Sequence, residues 1–158
     1  MRPTLANLAT LLRNNLPSSV RTIIVGQVDA PKMDDLPQVQ VFPESTTVAL
    51  SGTVRDHQTR VINIRVVDSS KSKMGQIKFA NQTISSMLAM CDFVEKKEAS
   101  GAFSTTSIIG ILRNNPTISG QVLYQDDIGV DYGSLGALGF PNVTADVKVQ
   151  LQSKDLIK

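Results

Sequence analysis

Apolar and polar residues alternate most regularly near the end of the chain, where Val143, Ala145, Val147, Val149 and Leu151 interleave with Thr144, Asp146, Lys148, Gln150 and Gln152. A period of two over ten residues predicts a half-buried strand, one face for a core and the other for water or a partner. Residues 58–67 read the same way, with Ile62, Ile64 and Val66 opposed to Val61, Asn63, Arg65 and Val67. In residues 38–42, Val39 and Val41 share one face, and Pro43, Glu44 and Ser45 are expected to break the run before a short strand over 46–50. Residues 21–28 are β-branched and apolar on both faces, as a buried or interfacial strand would be. A further strand is predicted over 121–132, with a bulge at 125–127 before Ile128, Val130 and Tyr132 alternate.

Helical spacing appears three times. Leu5, Leu8, Leu12 and Leu16 recur on one face behind Thr4, a candidate cap, and Pro17 ends the run. One Arg13 makes a poor basic face, so a helix laid on a sheet is favoured over one lying on a membrane. From Ala80, Ile84, Met87, Leu88, Cys91 and Val94 predict a longer helix with Cys91 toward the core and Glu95, Lys96, Lys97 and Glu98 at its far end. After Gly101, Thr105 or Thr106 can cap a short helix holding Ile108, Ile109, Ile111 and Leu112, closed by Asn114, Asn115 and Pro116. The order of elements predicts a single α+β domain over residues 1–158: a mainly antiparallel sheet with helices packed on one side.

Composition narrows what such a domain does. At 158 residues and 41% hydrophobic, the chain can bury a core without a disulfide or structural metal. The lone Cys91 forms no internal bridge, and with no signal-like start the expectation is a reducing, cytoplasmic setting. No apolar run approaches the roughly 18 residues needed to span a bilayer. A net charge of +2 and an aromatic content of 4% without Trp weigh against general nucleic-acid binding or base stacking.

Candidate chemistry is sparse. His57, the only histidine, falls in a stretch expected to be a turn, residues 55–57, and a solvated histidine is favoured over a metal or triad role. Cys91 has no sequence-adjacent base to activate it. Asp126, Asp127 and Asp131 lack the calcium-loop spacing, and residues 133–139 lie between strands without phosphate-loop spacing, so acidic surface and a hairpin connection are expected. Asn81 and Asn142 begin glycosylation sequons with no secretory context. No cofactor, metal or catalytic residue is expected. The loops over 29–36, with Lys32, Asp34 and Asp35, and over 69–75, with Lys71 and Lys73, are the candidate partner contacts, because polar loops on a rigid sheet order when a partner docks.

The arrangement as a whole resembles a known family. An N-terminal helix, the extended Leu36-Pro37-Gln38-Val39-Gln40-Val41, the strand from Thr59 to Val66 and a mid-chain helix look like the tail terminators of long-tailed bacteriophages. The segment from Ile109 to Gly120, followed by strands with Asp127 to Gly133 and Asp146 to Leu151, is the kind of ending such chains show. The resemblance covers nearly the whole chain and rests on turns and strands. It implies a small subunit that closes into a hexameric ring on the head-proximal end of the tail tube, stops tube growth and meets the head connector. It further implies a virion location after assembly in the host cytoplasm, with genome DNA passing through the lumen without sequence-specific binding. Asp126, Asp127 and Asp131 are then candidates for the lumen lining. Apolar strand faces would be hidden against neighbouring copies. A neck or head-completion protein of the connector is the alternative of the same class, and a small-molecule binding domain the alternative from another.

Overall fold

The computed structural model describes residues 2–50, 55–69, 82–120, 122, 124–135 and 142–156. The elements are α1 (Arg2–Asn15), β1 (Thr22–Val25), β2 (Gln38–Leu50), β3 (Arg55–Ser69), α2 (Gln82–Glu95), α3 (Ile108–Asn114), β4 (Tyr124–Leu135) and β5 (Asn142–Leu156). The five strands form one sheet in the order β1-β2-β3-β5-β4, in which β1 runs parallel to β2 and every other pair is antiparallel. The fold is α+β, as the pattern predicts.

One face of the sheet carries the core. Val39, Val41, Ile62, Ile64, Val66, Val143, Ala145, Val147, Val149 and Leu151 meet the buried faces of all three helices in one hydrophobic cluster. Each Val, Ile or Leu side chain among them, removed from water, contributes about 1.5–3 kcal/mol. α1 inserts Leu5, Leu8, Ala9 and Leu12, and its last turn closes before Pro17 through Leu16 N donating to Leu12 O at 2.8 Å. Thr4 is not its cap: the helix is under way at Arg2, and Thr4 is buried within it.

α2 turns differently from the predicted stripe. Met90, Phe93 and Val94 are buried, whereas Leu88 is 53% exposed and Cys91 only half-buried. The helix ends at Glu95. Beyond it Lys97 pairs with Phe103 across a tight turn in which Gly101, at φ +84°, takes a conformation that side-chain-bearing residues avoid. The cap of α3 is Ser107, not Thr105 or Thr106; its hydroxyl accepts from Gly110 N at 3.2 Å and donates to Ser104 O at 2.8 Å. Gly110 is required there by close approach, since a Cβ would stand 1.9 Å from the Ser104 carbonyl oxygen.

The strands are longer than their sequence signatures. Pro43 does not end β2; the ladder continues through a register shift between Pro43 and Ser45. It survives because β1 pairs only with residues 38–41 of β2. Gly26 N donates to Val41 O at 2.9 Å, so the backbone of Val41, and by alternation that of Pro43, faces the β1 side, where no N–H is demanded. Residues 55–57, expected as a turn, are strand: His57 pairs with Ala49 and with Lys154. The segment at 21–28 gives only the four-residue edge strand β1, half-buried at Thr22, Ile23 and Ile24 and exposed at Val25. The bulge of β4 falls where expected, between Gln125 and Ile128.

Candidate functional site: the polar face of the sheet

The side chains that alternate with the core residues form the opposite face, and no helix contributes to it among the described residues. Two rows cross it. Gln40, Arg65, Asp146 and Asp131 stand side by side on β2, β3, β5 and β4, and Phe42, Asn63, Lys148 and Gly129 form the next row. Arg65 binds Asp146 through two contacts, Nε to Oδ1 at 2.7 Å and Nη2 to Oδ2 at 3.2 Å, while its guanidinium carbon lies 5.4 Å from the Phe42 ring centre. Such a fork fixes both side chains flat on the sheet. Lys148 Nζ reaches Glu44 Oε1 at 3.2 Å and Asp131 Oδ2 at 3.8 Å. The hydrogen bond that Lys148 donates to Glu44 is the main cause that raises the Lys148 pKa. Three carboxylates thus face two cations, and the patch keeps a negative surplus.

Several polar side chains here are withdrawn from water. Gln40 is fully buried: its Oε1 accepts from Val28 N at 3.1 Å, and its Nε2 donates to Val28 O at 2.9 Å and to Gln38 Oε1 at 2.8 Å. One amide thereby holds the 26–37 segment against the sheet as a strand partner would. Asn63 is 4% exposed, and its Oδ1 has no hydrogen-bond partner among the described residues. An acceptor stranded in this way costs about 1–3 kcal/mol. Neither residue is legible in the sequence, because a polar residue at alternating spacing reads as solvent-facing and the partner of Gln40 lies twelve residues upstream.

Of the three aspartates singled out above, Asp126 accepts from Gln152 Nε2 at 3.3 Å, and Asp131 lies beside Lys148; both sit on this face, at different levels of β4. Asp127 is exposed in the bulge. They do not converge, and among the described residues no cluster of His, Cys, Asp and Glu is arranged to hold a metal. Lys32 and Asp34 are exposed and Asp35 half-buried, around a single 3-10 turn at Met33–Asp35 whose Asp34 carbonyl accepts from Arg21 Nη1 at 3.2 Å. Lys71, Lys73 and Asn81 lie outside the described residues, as does the 136–141 part of the glycine-rich connection.

On the core side, Tyr132 OH donates to Glu95 Oε1 at 2.9 Å, tying edge strand β4 to the last turn of α2. Partial burial, then that hydrogen bond, push its pKa well above the usual 10. Gln125 Nε2 caps α3 by donating to Leu112 O at 3.0 Å and Asn115 O at 2.8 Å. Both are positioning contacts that lock the edge of the sheet to the helical layer.

No helix among the described residues is long and apolar enough to cross a membrane. The chain matches no protein-family model and no curated protein. Among the described residues the strands show no apolar face left open for a neighbouring copy, contrary to expectation. One face is sealed by helices, the other is polar, and the exposed large hydrophobics among the described residues are the scattered Val25, Val28, Met33, Val48 and Leu88. The clearest means of self-association that the described strands offer lies in their edges.

Proposed function

We propose that this chain is a virion structural protein, a tail terminator that closes into a hexameric ring on the head-proximal end of a phage tail tube. The observation that carries the reading is the asymmetry of the sheet: three helices seal one face, while the other is a polar, charge-laced surface on which none of the described helices lies. A subunit built so can turn its polar face to an aqueous lumen and its helices outward. The negative surplus around Lys148 suits a channel that DNA must cross, because phosphates are held by lysine and arginine and repelled by carboxylates. In this reading Asp126 and Asp131 belong to the lining, and the 26–37 segment with Lys32, Asp34 and Asp35 meets the tail tube or the head connector. The ring assembles in the host cytoplasm and ends in the virion.

Deletion of the gene and imaging of the particles tests this. Tails of uncontrolled length are expected, and purified protein added to growing tubes should arrest them at any length. Tails of normal length left unattached to heads would assign the chain to the neck instead. Replacing Asp126, Asp127 and Asp131 by Lys should slow DNA ejection with assembly intact, and ejection at the normal rate would remove them from the lumen.

A further inference from the structure

The two long edges of the sheet are unequal, and their shapes match. On β2, the ladder to β1 stops at Val41, leaving the far half without a neighbour on that side among the described residues. Hydrogen-bond alternation carried from Val41 through the bulge at Glu44 sends the N–H and C=O groups of Thr46, Val48 and Leu50 outward, since their neighbours Ser45, Thr47 and Ala49 bond to β3. On β4, the same alternation followed across β3 and β5 sends outward the backbone groups of Ile128, Val130 and Tyr132. Residues 43–49 are exposed throughout, with Val48 at 55%. An open edge of this length, rich in Thr and Val and carrying one charge, is a template for strand addition.

We infer that the open half of β2 receives β4 of a second copy of this chain, in the antiparallel register that sets Val48 opposite Val130. The inference rests on the ring reading and names the contact that closes the ring. Four observations select this occupant and register. Strand directions alternate from β2 through β3 and β5 to β4, so a copy repeated around an axis brings its β4 antiparallel to this β2. Each edge offers a run free of irregularity, the six residues 45–50 beyond the bulge at Glu44 and the eight residues 128–135 beyond the bulge at 126–127. With Val48 opposite Val130, the whole 45–50 run is paired within 128–135 and both bulges fall outside it. Thr46 then pairs with Tyr132 and Val48 with Val130 on the helix side, Leu50 stands at the register position opposite Ile128, and Thr47 meets Asp131 on the polar side, so that no like charges oppose.

The offset is compatible with closure. Through Gln58, Val48 is level with Ser153 on β5, whereas Val130 is level with Val147, so successive copies shift by six residues. At ~3.4 Å per residue this is about 20 Å, against about 19 Å for the width of four strands. The strands therefore tilt by roughly 45°, at the upper end of the ~35–45° at which sheets close into barrels. The short β1, ending at Val25 beside Val41, leaves the incoming strand room beyond Pro43.

The test uses the full chain with Cys91→Ser, carrying Val48→Cys or Val130→Cys, and a short bis-maleimide. A mixture of the two single variants should cross-link as a heterodimer, each alone should not, and the double variant should give a ladder of multimers. Thr46→Pro added to the Val48→Cys chain, which removes an outward N–H without touching the β2–β3 ladder, should abolish the cross-link to Val130→Cys while its melting temperature stays within a few degrees. Cross-linking of Val48→Cys with itself would show two-fold pairing and overturn the inference, as would unchanged cross-linking by the chain carrying Thr46→Pro with Val48→Cys. Rings that form on tail tubes without the Val48–Val130 cross-link would remove this contact and leave the terminator reading standing. A chain that neither cross-links nor forms rings on tubes would remove both.

Discussion

The two faces of the central strands are built from alternate residues of the same segments, yet they do different physical jobs. On the helix side, Ile62, Ile64, Val147 and Val149 are wholly buried and interchangeable in kind. On the other side each residue has its own partner: Arg65 with Asp146, Lys148 with Glu44 and Asp131, Gln40 with Val28. The first face supplies free energy through area. The second supplies little net stability, because exchanging water for protein hydrogen bonds gains only about 0.5–1.5 kcal/mol each, but it fixes geometry. A face shaped for geometry rather than for burial is where recognition is to be sought.

Substitutions can break that contrast. The largest effect is expected from Gly110→Ala in the helical layer, where the new methyl would collide with the Ser104 carbonyl oxygen; a loss above about 3 kcal/mol in chemical denaturation is expected. Ile64→Ala should cost about 2–5 kcal/mol, as the deletion of a fully buried side chain does. On the polar face, Gln40→Ala should cost about 1–3 kcal/mol, and hydrogen exchange at Val28 should speed up while that at Val41 does not. Asn63→Leu tests the stranded acceptor: melting unchanged or raised is expected, and a fall of several degrees would mean that the amide is satisfied.

The smallest effect concerns alkaline pH. Folding raises the pKa of Tyr132, so the unfolded chain loses the proton first, and the stabilisation by the neutral phenol is present below pH 10 and drains as pH climbs beyond it. Spectrophotometric titration should show a tyrosinate step delayed past the usual range, absent in Tyr132→Phe. A step at the ordinary position would contradict the Glu95 hydrogen bond.

The register of periodicities was legible from the start. Val143 to Leu151 and Ile62 to Val66 alternate because side chains in a strand point to opposite sides, and the structure buries those very residues. What misled was punctuation. Pro43 reads as a strand breaker, but the absence of a neighbour beyond Val41 makes the missing N–H harmless. Residues 55–57 look like a turn, but pairing with both β2 and β5 draws them into β3. Cys91 and Leu88 fit a helical stripe on paper, yet the roll of α2 over β5 is set by which residues the sheet accepts, and it chose Met90, Phe93 and Val94.

The sequence by itself therefore determined the α+β class, the core residues of the sheet and the bulge in β4, since each follows from local periodicity or turn chemistry. Tertiary structure alone decided the strand order, the open half of β2, the clamp by Gln40 and the meeting of Glu44, Asp131 and Lys148. Those depend on contacts between residues far apart in the chain, whose energies exist only once the backbone has brought them together.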